Sequence, residues 1–255
     1  MKYSLLTLLF IAIAVSPLIA QRRTGGTVSK AGFRPARSAE VGQSAIVVDE
    51  TLSVLRKDPS LFSEPVHRMQ RGRKVQILGV TEADGVKFYK VTAPPTSFGW
   101  VQADAVFGKF RATDEERFAK LVQATDGYDQ IEMATQFFET YPDSRFKPQV
   151  LMLYGDLLEE VAAKLTKDAN SRLRRPEMAA SAAPMHSYFL NFVSLDRYRK
   201  LGIIFLFNST ARAFHYNGAS WKEIVTKFPK SPEAVEAQKR LDNLALKMQK
   251  PVAAQ

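Results

Sequence analysis

The feature that most constrains this chain is a single change of hydrophobic period, near residue 113. Before it, apolar residues come in short runs cut by turn signals. After it, they recur at helical spacing. Ala45-Ile46-Val47-Val48 is a short apolar run, and Leu52 to Leu55 leads into the turn Lys57-Asp58-Pro59. Val75-Gln76-Ile77-Leu78 ends at Gly79, Ala83-Asp84-Gly85 is a hairpin signal, and Phe88-Tyr89-Lys90-Val91 follows. Gly99-Trp100-Val101 closes the series. Short β-rich runs at this spacing predict a small all-β barrel or sandwich over 45–106.

Thr113-Asp114-Glu115-Glu116 reads as a capping box with acids in the first helical turn. Phe118, Leu121 and Val122 continue it as a helical stripe, and Asp126-Gly127 ends it. Ile131, Ala134, Phe137, Phe138 and Tyr141 make a second stripe that stops at Pro142. A third runs from Val150 to Leu165 with one broad apolar face, beside which Gly155 leaves room for a close neighbour. Residues 168–184, rich in Ala, Ser and Arg, read as a loop or ragged insertion. Helix is expected to resume near His186 and to run through Ile204, Phe205 and Phe214 to Asn217-Gly218. A short helix over Trp221–Phe228 and a last one after Ser231-Pro232 complete the half. Phe137 to Ser144 parallels Ile224 to Ser231, an internal repeat of an aromatic-Pro-x-Ser step between a shorter and a longer helix.

These patterns carry two resemblances. Leu52–Pro59, the run Met69-Gln70-Arg71-Gly72-Arg73-Lys74-Val75, Phe88-Tyr89-Lys90-Val91 and Gly99-Trp100-Val101 with Val106 resemble, in order and spacing, the bacterial SH3-like domain family. Phe88 stands where that family usually has Trp, and Leu61–Val66 lengthens the first loop. Gly127-Tyr128 to Gly155 resembles the tetratricopeptide repeat family, above all periplasmic versions with a Tyr-Pro-Asp-Ser step. The second copy has a shortened helix, and 171–201 matches no repeat. The expected fold is an SH3-like barrel (45–106) followed by tetratricopeptide-like helical hairpins (113–249). The SH3-like resemblance implies engagement of cell-wall peptide or glycan.

The N-terminus has the layout of a secretory signal peptide over 1–20: Lys2, the apolar run Leu5–Val15 broken only by Thr7, then Pro17 and Ala20. The run is short for a span of roughly 20 residues, which favours cleavage over an uncleaved anchor. Membrane contact is expected only through this segment if it is retained. The expected location is therefore periplasmic or extracellular. Residues 21–44 read as a flexible basic linker in which Arg22, Arg23, Arg34 and Arg37 form an electrostatic tether. The net charge of +10 is concentrated in the front half. It favours anionic partners such as acidic lipid or wall polymer, and export argues against nucleic acid.

No cysteine is present, so disulfides and thiolate metal sites are excluded. His67, His186 and His215 are scattered without metal-ligand spacing, and no phosphate loop or nucleophile elbow occurs. Ser144-Arg145-Phe146-Lys147 matches Ser-x-x-Lys, but its companion motifs are missing and a helix cap explains Ser144 better. No cofactor and no enzymatic activity are expected. Tyr89, Phe98 and Trp100 are the candidate ligand-binding residues of a barrel groove, with Tyr89 and Phe98 expected to be the exposed ones. A protein partner is expected on the helical half. The alternative is a protein–protein adaptor in envelope complex assembly that does not bind the wall. Phe107 and Phe110, in the short join between the halves, are expected to lie where the barrel docks on the first helical hairpin.

Overall fold

The computed structural model describes residues 38–94 and 97–249. The signal segment and the tether arginines Arg22, Arg23, Arg34 and Arg37 lie outside them.

Seven strands form one curled antiparallel sheet: β1 (Ser44–Val47), β2 (Val54–Arg56), β3 (Pro65–Arg68), β4 (Lys74–Ala83), β5 (Val86–Ala93), β6 (Ser97–Gln102) and β7 (Val106–Phe107), in the order β3-β2-β6-β5-β4-β1-β7. The alternation read from the sequence sets the faces. Val75 and Ile77 on β4, Val91 on β5 and Val101 on β6 point into one core with Leu55 and Met69. The β4–β5 hairpin turns on Asp84-Gly85, both with positive φ, as a two-residue connection requires. At Gly99 a Cβ would come within 2.6 Å of the Arg56 carbonyl, so glycine is what lets β2 cross β6 closely. The linker ends earlier than expected. The Gly42 N–H donates to the Ile77 carbonyl and the Ile77 N–H to the Gln43 carbonyl, which extends the sheet back before residue 45.

The helical half begins with α1 (Asp114–Ala124), α2 (Gly127–Thr140) and α3 (Lys147–Ser171). The expected capping box does not form. Thr113 has helical dihedrals and no side-chain cap, while Asp114 is fully buried and accepts from the Gly108 N–H and from Arg111. After α3 come α4 (Arg175–Ala180), α5 (Met185–Leu190) and α6 (Asp196–Arg199), where a loop and then a long helix were expected. Residues 204–214 are not helical. β8 (Phe205–Asn208) and β9 (Ala213–Tyr216) form an antiparallel hairpin that packs on α3. Then α7 (Ala219–Lys227) and α8 (Glu233–Met248) pair with each other and with α3. Gly155 is where α7 meets α3: a Cβ there would lie 2.3 Å from Trp221 Nε1 and 2.5 Å from Ser220 Oγ.

The internal repeat is a repeat of geometry. In the first copy Tyr141 N–H donates to Phe137 O, Ser144 N–H to Tyr141 O and Lys147 N–H to Ser144 O. In the second copy Phe228 donates to Ile224, Ser231 to Phe228 and Ala234 to Ser231. Equivalent bonds at equivalent offsets carry the chain from one helix into the next in both places.

The halves share a core. Ile46, Val48 and Phe107 from the sheet pack with Phe118, Val122, Ala134 and Phe137 from α1 and α2. Phe107 and Phe118 have ring centroids 5.3 Å apart. Arg71, in the turn before β4, reaches Glu132 of α2 at 3.2 Å. Phe110 differs from expectation. It turns back onto the sheet, edge-on to Tyr89 at 6.2 Å.

Candidate functional site: an aromatic strip on the sheet and a groove among the helices

Strand alternation separates the three aromatic residues expected to form one groove. Val101 and Gly99 of β6 face the core, so Trp100 and Phe98 face outward. Phe98 is 63% exposed and Trp100 is half-buried. Lys90 of β5 stands opposite Trp100 in the register and places Nζ 5.9 Å from the centre of its ring. Arg56 of β2 flanks Trp100 on the other side and donates to the Ser63 carbonyl at 2.7 Å. That bond anchors the long first loop, whose Phe62 is 90% exposed. The loop is also held by Asp84, which accepts from Ser60 Oγ and from the Leu61 N–H.

Tyr89 does not belong to this strip. Next to Lys90 in the chain, it points the opposite way and is completely buried. Its hydroxyl donates to Glu40 at 2.7 Å, and the Arg111 guanidinium lies 5.7 Å from its ring centre. Burial, reinforced by the hydrogen bond to Glu40, pushes the phenol far above its ordinary range. Tyr89 is therefore a core residue tying the segment before β1 to the sheet. Its expected exposure is corrected because a Tyr in this register can turn only inward. Outward on the same sheet are two aromatic rings and two cations, a surface suited to stacking on sugar rings or holding an extended peptide.

A second concavity lies among α3, α8 and β9, with a volume of about 850 Å³. Asp156, Glu159 and Glu160 line its α3 wall, and Arg240 and Lys247 its α8 wall. Glu159 accepts from Lys247 at 2.7 Å, from the Tyr216 N–H at 2.9 Å, and meets His215 Nδ1 at 3.0 Å. Burial alone would raise the Glu159 carboxyl, but the hydrogen bonds from Lys247 and His215 outweigh it and hold the group below its ordinary range. Arg240 grips Asp156 with Nε at 2.9 Å and Nη2 at 3.3 Å. Among the described residues the one hydroxyl lining this groove, Thr166 Oγ1, accepts from Phe214 N–H and donates to Ala162 O. Nothing in this set is placed as a nucleophile beside His215.

The Ser-x-x-Lys residues are engaged structurally. Ser144 Oγ donates to Glu115 at 2.6 Å and accepts from the Phe146 N–H, while Lys147 pairs with Glu223 at 2.9 Å. Among the described residues no three His, Asp or Glu side chains cluster to hold a metal ion. Among them too, no helix is long and apolar enough to cross a membrane. Comparison with models of protein families, with curated proteins and with solved structures found no match.

Proposed function

We propose that this protein is a non-enzymatic binding protein of the bacterial cell envelope. In this reading the curled sheet is an SH3-like barrel that engages wall glycan or peptide, and the helical half is a tetratricopeptide-like module that holds a protein partner. The observation that carries it is the outward pair on β6, Phe98 at 63% exposed and half-buried Trp100, with Lys90 over the indole. Aromatic rings side by side on a strand, with a cation beside them, offer a contiguous face on which a sugar ring or an extended peptide can stack. The recurring aromatic-Pro-x-Ser step, with the same hydrogen bonds in both copies, supports the repeat reading of the helices. The basic segment over 21–44 would add salt-sensitive attraction to an anionic wall.

Co-sedimentation with purified wall material tests the proposal. Retention at low salt that weakens but persists at high salt is expected, because the aromatic contact is not screened. No retention at either salt overturns wall binding. The α3–α8 groove favours a second reading, the adaptor that binds proteins through both halves and ignores the wall. Crosslinking in the envelope fraction separates the two: the adaptor gives protein adducts from both halves and no pelleting with wall.

A further inference from the structure

We infer that the outer edge of β8 receives an extended, acid-flanked peptide of a partner protein as a third strand beside β8, an assignment that rests on the helical half being a protein-binding module. The register carries it. Phe205 stands opposite Tyr216, Leu206 opposite His215, Phe207 opposite Phe214 and Asn208 opposite Ala213. The N–H groups of Phe214 and Tyr216 point away from β8, because they donate to Thr166 Oγ1 and Glu159 Oε2 of α3. The Asn217 N–H, one place further on, donates to the Ile204 carbonyl. Strand backbone groups alternate in direction, so Ile204, Leu206 and Asn208 face β9, and the N–H and C=O groups of Phe205 and Phe207 face outward. Among the described residues neither of those two N–H groups has a hydrogen-bond partner, and the sheet ends at β8.

The two edges of this hairpin are thus treated oppositely. Side chains of α3 cap the β9 edge, and the β8 edge is open. An open edge is a template for another strand. It is also held in shape for one. Phe207 stacks on Phe189 at 4.7 Å and Phe205 meets Tyr198 edge-on at 5.5 Å, so the side chains of the outward-facing residues anchor the strand to the core. At its end Asn208 donates to the Lys247 carbonyl and accepts from Thr210 N–H and Ala211 N–H. A strand fixed in this way loses little freedom when it pairs. On the other face Ile204 is 58% exposed and Leu206 is half-buried, which offers apolar contact to alternate residues of an incoming strand.

Charge selects the occupant. Lys200 lies in the turn before β8 and Arg212 in the turn after it, and among the described residues neither makes an ion pair. A second copy laid antiparallel across the edge would bring the Lys200 end of one strand to the Arg212 end of the other, cation toward cation. An extended segment with apolar residues in alternation and acids at both ends meets the backbone edge, the Ile204–Leu206 face and both cations together.

The probe is a short synthetic peptide of alternating valine and threonine with glutamates at both ends, added to the full-length protein. Hydrogen exchange at the Phe205 and Phe207 amides is expected to slow at least about tenfold on binding, since both become strand-paired. The same peptide with a central proline, or with lysines at its ends, is expected not to protect them. A Lys200→Glu/Arg212→Glu variant, altered only at partly or fully exposed positions, should bind the acidic peptide about tenfold more weakly, two peripheral ion pairs being worth about 1.4 kcal/mol together. Unchanged exchange at both amides overturns the assignment, as does equal binding of the proline peptide or edge-to-edge dimerisation seen by ultracentrifugation. Crosslinking in the envelope fraction tells the failures apart. Protein adducts on α8 without edge protection leave the protein-binding reading standing and remove the edge; no adducts on the helical half remove both.

Discussion

At the scale of single residues, three side-chain environments set measurable stabilities. Asp114 is wholly buried between Gly108 N–H, Arg111 and Arg117, and burial pushes its carboxyl up even though Arg111 and the Gly108 N–H pull it down. Asp114→Ala would strand the largely buried Arg111 guanidinium. The expected loss is about 3–5 kcal/mol, read as a lower urea midpoint. Gly155→Ala would drive a methyl into Trp221 and Ser220, at an expected cost of about 1–3 kcal/mol by the same measurement. Glu159 gives a pH signature. Its folded carboxyl lies below the ordinary glutamate value of 4.5, so folding favours the ionised form. That stability is complete above pH 4.5 and is lost as pH falls through the folded value. Glu159→Gln should therefore be less stable than the natural protein at pH 7 by about 1–3 kcal/mol, with the difference closing under more acidic conditions. A difference that stays constant with pH would mean that the charge of Glu159 contributes nothing. The same scale explains the misread Tyr89. An aromatic beside a lysine in a strand has two faces open to it, and only the register against β4 and β6 says which one is buried.

Legibility varied among elements according to how many periods a stretch of sequence allows. The turns at Asp84-Gly85 and the stripe through Val150, Leu151 and Leu158 admit one reading each, and both elements stand where the pattern puts them. Ile203-Ile204-Phe205-Leu206-Phe207 is apolar at every position, so helix and strand fit it equally, and tertiary context decides for the β8–β9 hairpin. Asn208 gives a retrospective clue, since its side chain organises the turn through two backbone N–H groups. Thr113 misled because the buried demand of Arg111 for a carboxylate outweighs a surface cap. Of the candidate site, the sequence shows Phe98 and Trp100 as aromatic residues two apart around Gly99, and the burial of Gly99 and Val101 decides that they face outward. The open edge of β8 was invisible until the hairpin was known. The element that joins the halves is β7 with its Phe107. Truncating that ring, Phe107→Ala, should cost about 3–5 kcal/mol. Limited proteolysis should find no clean cut between residues 106 and 113 in the natural protein; a ready cut there would contradict the shared core.

Over the whole molecule, the described residues form one compact unit beginning at Ser38. Without disulfides to staple it, the small sheet depends on the helical half through Ile46, Val48 and Phe107. Sheet and helices are expected to unfold in one transition by circular dichroism and by tryptophan fluorescence, and two separated transitions would contradict the docking. The function proposed for this unit depends on one surface, the Phe98–Trp100 strip, and the two tryptophans of the chain allow it to be watched directly. In a ¹⁵N-labelled sample, soluble fragments of digested wall should shift the indole N–H signal of half-exposed Trp100 in a saturable way, while that of Trp221, 2% exposed in the helical core, stays fixed. A Trp100 signal that does not move at saturating fragment, or moves only together with that of Trp221, would contradict wall binding through the strip.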